Sequence, residues 1–491
     1  MVFLIICALY FLVHEQWALV KDVEFMLKPE LLSPAGSLKN MRYAFAYGAD
    51  AVYAGQPRYS LRVRNNEFSL ENIKIGIDEA HALGKKFYLV NNIAPHNGKL
   101  KTFLKDISPV IAMKPDALIM SDPGLIMMVR ENHPDMAIHL SVQANAVNWA
   151  TVKFWHQQGV ERVILSRELS LDEIEDIRFH CPEMELEVFV HGALCMAYSG
   201  RCLLSGYINK RDPNQGTCTN SCRWKYDVHE AKETETGDII AVPSTSKSPE
   251  IYMPENYLPE EKPQPIDDII LLQEQGRPGE YMPAFEDEHG TYIMNSKDLR
   301  AVEHVERLVK MGVHSLKIEG RTKSFYYCAR TAQVYRQAMN DAMANKAFNP
   351  LLNTDLEHLA HRGYTEGFLK RHRPSDTQNY DYGYSKSDTQ QFVGEVLGRN
   401  EESGLVEIDV KNKFLVGDTL ELMTPNGNVS FTLTNMIHCK TGEAITDAKG
   451  SGHKVAIELD TELDLAFGII MRYLTEGGTT RHPFAQNQAD K

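Results

Sequence analysis

The stretch ELLSPAGSLKNMRYAFAYGADAVYAG (Glu30 to Gly55) sets the fold. A short apolar run, Glu30-Leu31-Leu32-Ser33, meets a break at Pro34 to Gly36. A helical stretch follows and closes on Gly48-Ala49-Asp50. A second apolar run, Ala51-Val52-Tyr53-Ala54, comes directly after. Continuous apolar runs of this length predict parallel strands buried on both faces, and Gly at the end of a helical stretch predicts a helix turning back into a strand. The unit recurs. Further runs are Phe87-Tyr88-Leu89-Val90, Ala117-Leu118-Ile119-Met120, Ile138-His139-Leu140-Ser141, Val163-Ile164-Leu165-Ser166 and Val188-Phe189-Val190, with Ser315-Leu316-Lys317-Ile318 much later. Amphipathic stretches such as Leu70 to Leu83 and Leu100 to Ile111 lie between them. Eight strand–helix units predict an α/β fold, a TIM-like (β/α)8 barrel, with Tyr292-Ile293-Met294 as an alternative strand. No G-x-G-x-x-G is present, which argues against a doubly wound nucleotide-binding sheet. Residues that follow the runs should gather at the C-terminal rim, where barrel active sites sit. They include Gly55, Asn91, Asn92, Ser121, Gln143, Asn145, Arg167, Glu168, His191, Glu319 and Arg321.

The remaining chain divides by pattern. The barrel is expected over 26–345, with an acidic, proline-rich, mostly irregular insertion over 227–290. A linker spans 346–389, a small all-β, barrel-like domain 390–475, and a flexible tail 476–491. Within the β domain, Pro425-Asn426-Gly427 predicts a hairpin. The chain has 491 residues, enough for two or three domains, and its 43% hydrophobic and 24% charged content excludes disordered and polytopic membrane classes. Its net charge of −14 does not exclude an RNA partner. Between Asp227 and Gly290, 16 acidic and four basic residues carry −12, leaving about −2 on the other 427 residues. The apolar run Val2 to Val13 is short of the ~20 residues a membrane span needs and lacks a signal peptide's basic start. Residues 1–25 are therefore expected to lie outside the fold, with Met26 as the true start; a weak membrane anchor is the alternative. The protein is expected in the cytoplasm without stable membrane association. Intact mass of protein made from its native gene tests the start: retention of Met1 contradicts this reading.

Eight cysteines are too few for a disulfide scaffold, yet four fall within 28 residues: Cys195, Cys202, Cys218 and Cys222. Four thiolates suit tetrahedral zinc or an iron–sulfur cluster, and the spacing leaves both open. Around them, Glu187-Val-Phe-Val-His191-Gly192-Ala-Leu-Cys195 and Met196-Ala-Tyr-Ser-Gly200-Arg-Cys202-Leu-Leu-Ser205 resemble the signature of the collagenase-like peptidases, family U32. Leu32-Ser33-Pro34-Ala35-Gly36, Gly48 to Tyr53, Leu316-Lys317-Ile318-Glu319-Gly320-Arg321 and the C-terminal β domain fit the same family. The resemblance covers Met26 to about Tyr473. Tyr59 to Asn66 and Gly216 to Trp224 resemble a branch that modifies tRNA.

The resemblance implies prephenate-dependent C5 hydroxylation of a wobble uridine to 5-hydroxyuridine. It implies a 4Fe–4S cluster on Cys195, Cys202, Cys218 and Cys222, prephenate as co-substrate, tRNA as substrate, and leaves an electron-donor protein as a further candidate partner. A dianionic co-substrate calls for guanidinium forks, for which Arg62, Arg64, Arg167 and Arg321 are candidates. Glu187, His191 and Glu319 are candidates for proton transfer, with a structural ion pair the alternative for Glu187. Lys210-Arg211 and Lys370 to Arg373 are candidate phosphate contacts. A U32-type peptidase is one alternative, although no H-E-x-x-H is present: His229-Glu230 is followed by Ala231-Lys232-Glu233. A non-catalytic, cluster-bearing assembly partner is the other.

Overall fold

The computed structural model describes residues 27–61, 66–194, 197–202, 212–215, 226–233, 239–241, 270–274, 281–284, 286–287, 290–291, 297–370 and 389–474. The expectations for the N-terminal extension, the Tyr292 strand, the C-terminal tail, Lys210-Arg211 and Arg371 to Arg373 lie outside these residues.

Eight parallel strands close into a barrel. They are β1 (Glu30–Pro34), β2 (Ala51–Gly55), β3 (Lys86–Asn91), β4 (Ala117–Met120), β5 (Ile138–Leu140), β6 (Arg162–Ile164), β7 (Glu185–Ala193) and β8 (Ser315–Ile318). β8 pairs with both β1 and β7, which shuts the ring. The helices between are α1 (Leu38–Ala46), α2 (Leu70–Ala82), α3 (Asn97–Ile111), α4 (Pro123–Asn132), α5 (Trp149–Gln157), α6 (Leu171–His180), α7 (Val305–Lys310) and α8 (Phe325–Met343). Their starts are written in the sequence. Ser37, Ser69, Asp122, Asn148, Ser170 and Ser324 each accept a hydrogen bond from a first-turn N–H, and Ser170 with Glu173 forms a full capping box. Among the described residues, no helix is long and apolar enough to cross a membrane.

The insertion was expected to be mostly irregular, and its described residues lie in strands. Residues 226–233, 239–241, 270–274 and 281–284 form a four-stranded antiparallel sheet. Pro283 lies in an edge strand, where a missing donor is tolerated. The expected linker also contributes structure: a helix at Leu351–Glu357 and a short strand at Tyr364–Thr365. That strand pairs with Asp298–Arg300, which itself runs antiparallel to the end of β7.

The C-terminal region is an antiparallel all-β unit. Its seven-stranded sheet contains β9 (Gln390–Arg399), β10 (Val406–Val410), β11 (Thr419–Thr424), β12 (Gly427–Thr432), β13 (Lys454–Ile457) and β14 (Ile469–Tyr473). The hairpin expected at Pro425-Asn426-Gly427 joins β11 to β12 through a Thr424–Gly427 pair. This unit has its own core, centred on Val393, Ile408, Phe414, Leu422, Val455 and Ile470. Met423, Ile469 and Met471 instead belong to the barrel's hydrophobic cluster, so the two regions share buried apolar surface.

Polar contacts reinforce that junction. Arg330 on α8 and Glu421 on β11 are both fully buried and meet at 2.9 Å. Asn428 Nδ2 donates to Glu421 at 2.9 Å, and Gln333 Nε2 donates to Asn428 Oδ1 at 3.0 Å. On α1, Tyr47 Oη donates to the carbonyls of Met423 and Phe467, and Tyr43 Oη donates to Glu395.

Candidate functional site

Strand alternation places alternate residues of each strand inside the barrel. The inside of this barrel is ionic at its N-terminal end. Arg162 of β6 reaches across to Glu30 of β1 at 2.6 Å, although these strands are not neighbours. It also pairs with Glu185 at 2.7 Å and Glu187 at 3.3 Å. Tyr88 Oη donates to Glu30 at 2.6 Å, and its ring lies edge-on to His139. Lys317 of β8 donates to Glu187 at 2.7 Å, with its ammonium 4.3 Å from the centre of the Tyr53 ring. Glu187 is fully buried. Burial pushes the Lys317 ammonium below its ordinary range, and Glu187 opposes that shift. Of the two sequence readings of Glu187, the structure therefore shows the contacts of a structural ion pair. Neither Arg162 nor Lys317 was singled out as a functional or structural charge in the sequence, although a lysine between Leu316 and Ile318 in a strand run was a signal of a charged interior.

The rim lies one layer above. The Arg167 guanidinium sits 3.7 Å from the centre of the Phe189 ring, bonds to the Glu319 carboxylate, and donates to Ser199 Oγ at 3.3 Å. Arg321 donates to the Leu61 carbonyl. Gly55 makes room for it: a Cβ there would lie 2.2 Å from Arg321 Nη1 and 2.4 Å from Ser60 Oγ. Ser60 Oγ is buried and has no hydrogen-bond partner among the described residues. Asn92 links this side of the mouth to the next, accepting from the Leu61 N–H and donating to Ser141 and Gln143.

Residues 197–202, part of the cysteine-bearing loop, are fastened to this rim. Asn145, in the left-handed region at φ 52°, donates to the Ser199 carbonyl at 3.1 Å. Asn214 donates to the Cys202 carbonyl at 3.1 Å, and its own carbonyl accepts from the Ala94 N–H. Cys202 is partly exposed. Cys195, Cys218, Cys222, Arg62 and Arg64 lie outside the described residues. Among the described residues, no group of three or more His, Cys, Asp or Glu side chains could hold a metal ion.

The three proton-transfer candidates are not brought together. Glu319 is on the rim with Arg167, whereas Glu187 is in the ionic interior. His191 is buried among Tyr327, Tyr335 and Tyr364, with Nδ1 3.3 Å from Tyr335 Oη. Burial pushes its pKa down to about 3, which leaves it neutral and a weak base at neutral pH. His314 is pushed down to about 4, also mainly by burial, and His139 falls well below its ordinary value for the same reason. The sign of the linkage follows. Below about 6.5 the unfolded chain binds protons that these folded imidazoles refuse. Stability should therefore fall as pH drops from about 6.5 toward 4, with each such group contributing about 1.4 kcal/mol per pH unit. Denaturation midpoints across that range test this, and a flat profile contradicts it.

His191 carries a second constraint through its neighbour. Gly192 has φ 110°, and a Cβ on it would lie 2.4 Å from the Glu319 carbonyl oxygen. This close approach lets the Glu319 N–H donate to the His191 carbonyl at 2.8 Å and sets the carboxylate at the mouth. Gly192→Ala is expected to cost more than about 2 kcal/mol in a denaturant titration, because both backbone and contact resist it. A change under about 0.5 kcal/mol would contradict the geometry.

Together these features define an α/β-barrel protein with a polar, arginine-bearing mouth, a cysteine loop fastened over it and a β domain locked to its flank. The chain belongs to Peptidase family U32, matching that family over residues 36–379 and the U32 C-terminal domain over 388–472. It is 67% identical over 462 residues to the tRNA hydroxylation protein P of Escherichia coli, covering 93% of this chain and 99% of that protein. The Haemophilus influenzae protein of the same name is 65% identical, with 93% and 98% covered. A 23S rRNA 5-hydroxycytidine synthase of Escherichia coli is 27% identical, with 84% of this chain and 55% of that protein covered.

Proposed function

We propose that this chain is a tRNA hydroxylase acting on the wobble uridine at carbon 5, with prephenate as co-substrate and a 4Fe–4S cluster held by Cys195, Cys202, Cys218 and Cys222. The observation that carries the reading is the 67% identity, along nearly the whole chain, to a protein named for tRNA hydroxylation. The more distant rRNA hydroxycytidine synthase supports hydroxylation of RNA pyrimidines as a family chemistry. When bound, the cluster supplies one-electron chemistry.

The chain's own residues have separate tasks in this reading. Arg167 and Arg321 offer guanidinium forks at the mouth for a carboxylate-bearing co-substrate. Arg167 is held by Glu319, so an incoming carboxylate competes with Glu319 for the same fork. Glu319 is then placed to move a proton beside the bound co-substrate. Asn145 and Asn214 hold the backbone next to Ser199 and Cys202, fixing that loop over the mouth. The ionic interior below closes the barrel floor.

Anaerobically prepared protein tests the cofactor. Iron and acid-labile sulfide near four of each per chain, with an absorption band near 400 nm, are expected, and Cys202→Ser should lose most of both. Iron-free protein after reconstitution would overturn the cluster. With unmodified tRNA and prephenate, the loaded protein should form 5-hydroxyuridine, and no product would count against direct catalysis. Arg167→Ala should raise the prephenate concentration needed for half-maximal rate by about 10- to 100-fold, the loss expected for a charged hydrogen-bonded fork.

A further inference from the structure

The β domain is acidic as a whole. Residues 389–474 contain 13 acidic and seven basic side chains. Net charge therefore does not mark it as an RNA platform. The lysines are nevertheless gathered at one end, where Asp409, Glu443 and Asp447 lie among them. Beyond the ends of β9, β10 and β13 lie Glu401, Glu402, Glu458, Asp460, Glu462 and Asp464, all exposed. Five lysines collect at the other end: Lys411, Lys413, Lys440, Lys449 and Lys454.

Strand pairing brings these lysines together. Phe414 pairs with Ala448, which sets Lys413 beside Lys449. Asp409 pairs with Lys454, and the Val410 N–H donates to the His453 carbonyl. The Cys439 N–H donates to the Lys454 carbonyl, which brings Lys440 alongside, and the His438 and His453 rings lie 5.9 Å apart. Lys411 and Lys413 have acidic partners in Asp409 and Asp447. Lys440, Lys449 and Lys454 are exposed, with no acidic partner within ion-pair distance among the described residues.

This basic end is also the end next to the barrel mouth. Asn412 Nδ2 donates to the Phe392 carbonyl at 2.8 Å, and Phe392 packs on Phe325 and Tyr326 at the start of α8. α8 follows the rim segment Glu319 to Lys323 with only Ser324 between. Lys39 lies on the path between them, its ammonium 4.1 Å from the centre of the Phe325 ring and ion-paired with Glu395 at 2.5 Å. The lysine cluster and the rim residues Arg321 and Lys323 thus lie on the same side of the junction, with the Lys39–Glu395 pair between them. Because Arg330, Glu421, Asn428 and Gln333 lock the junction, cluster and rim keep a fixed spacing.

We propose that this lysine end of the β domain is a docking surface for the phosphodiester backbone of RNA, holding a tRNA whose target base enters the barrel mouth. The inference rests on the tRNA reading above and adds where the rest of the molecule is gripped. Spaced, solvent-facing ammonium groups without acidic partners suit a polyanion, which gains by releasing condensed counterions on contact. The acidic end, by the same logic, repels the backbone and fixes which way the RNA lies.

The test is binding of unmodified tRNA to the full chain by fluorescence anisotropy over a series of salt concentrations. The triple variant K440E/K449E/K454E is expected to bind at least tenfold more weakly at about 0.1 M salt, and its salt dependence should flatten by up to about three counterions. The neutral triple variant with glutamines should fall between it and the wild type. Matching thermal melts of all three proteins exclude a folding defect. Wild-type affinity and salt slope in both variants would overturn the surface while leaving the tRNA reading intact. Absence of tRNA binding by the wild-type chain would overturn both.

Discussion

Glu187→Ala is expected to destabilise the barrel by about 3–5 kcal/mol, seen as a large drop in denaturation midpoint, because it strands a buried cation. Lys317 has 4% side-chain exposure and Glu187 none, and the 2.7 Å contact between them is the only ion pair that Lys317 makes among the described residues. Arg162 suffers less, since Glu30 and Glu185 remain beside it. The double variant Glu187→Gln with Lys317→Met removes both charges and should recover a large part of the loss, because a missing pair costs less than a widowed charge. This pattern separates a structural role from a catalytic one. Near wild-type stability in Glu187→Ala, combined with lost activity, would restore Glu187 as a proton-transfer group.

The second large effect is expected at the barrel–β domain junction. Arg330→Ala should cost about 3–5 kcal/mol, because the buried carboxylates of Glu421 and Asp355 would both lose their guanidinium partner. Arg330→Met paired with Glu421→Leu should recover part of the loss, since apolar replacements suit a junction continuous with the barrel core while the buried Asp355 still loses its cation. Because the β domain has a separate core, Arg330→Ala should also split unfolding into two transitions. A single transition at the wild-type midpoint would show that the ion pair does not hold the two regions together.

The sequence reading located all eight barrel strands, within a few residues, because parallel strands buried on both faces read as continuous apolar runs. The rim followed from the same logic: Arg167 and Glu319, which end the sixth and eighth strand runs, were both found in the sequence, and they meet. The charged interior was harder to see. Glu30, Arg162 and Lys317 stand at single positions within or beside apolar runs, and only closure of the ring brings β1, β6 and β8 face to face. His191 looked like a rim residue because it ends an apolar run. In the structure β7 continues past that point to pair with Asp298–Arg300, and tyrosines from α8 and from Tyr364–Thr365 enclose the ring. In the acidic insertion, Pro283 obscured one strand that an edge position accommodates.

The central claim, that this chain hydroxylates tRNA, is tested most directly by mass spectrometry of tRNA nucleosides from cells lacking the gene and from the same cells carrying it on a plasmid, wild type or Cys202→Ser. The account predicts that 5-hydroxyuridine and its derivatives disappear with the gene, return with the wild-type copy and do not return with the variant. Unchanged 5-hydroxyuridine in cells without the gene, and with no second family member to supply it, would contradict the account.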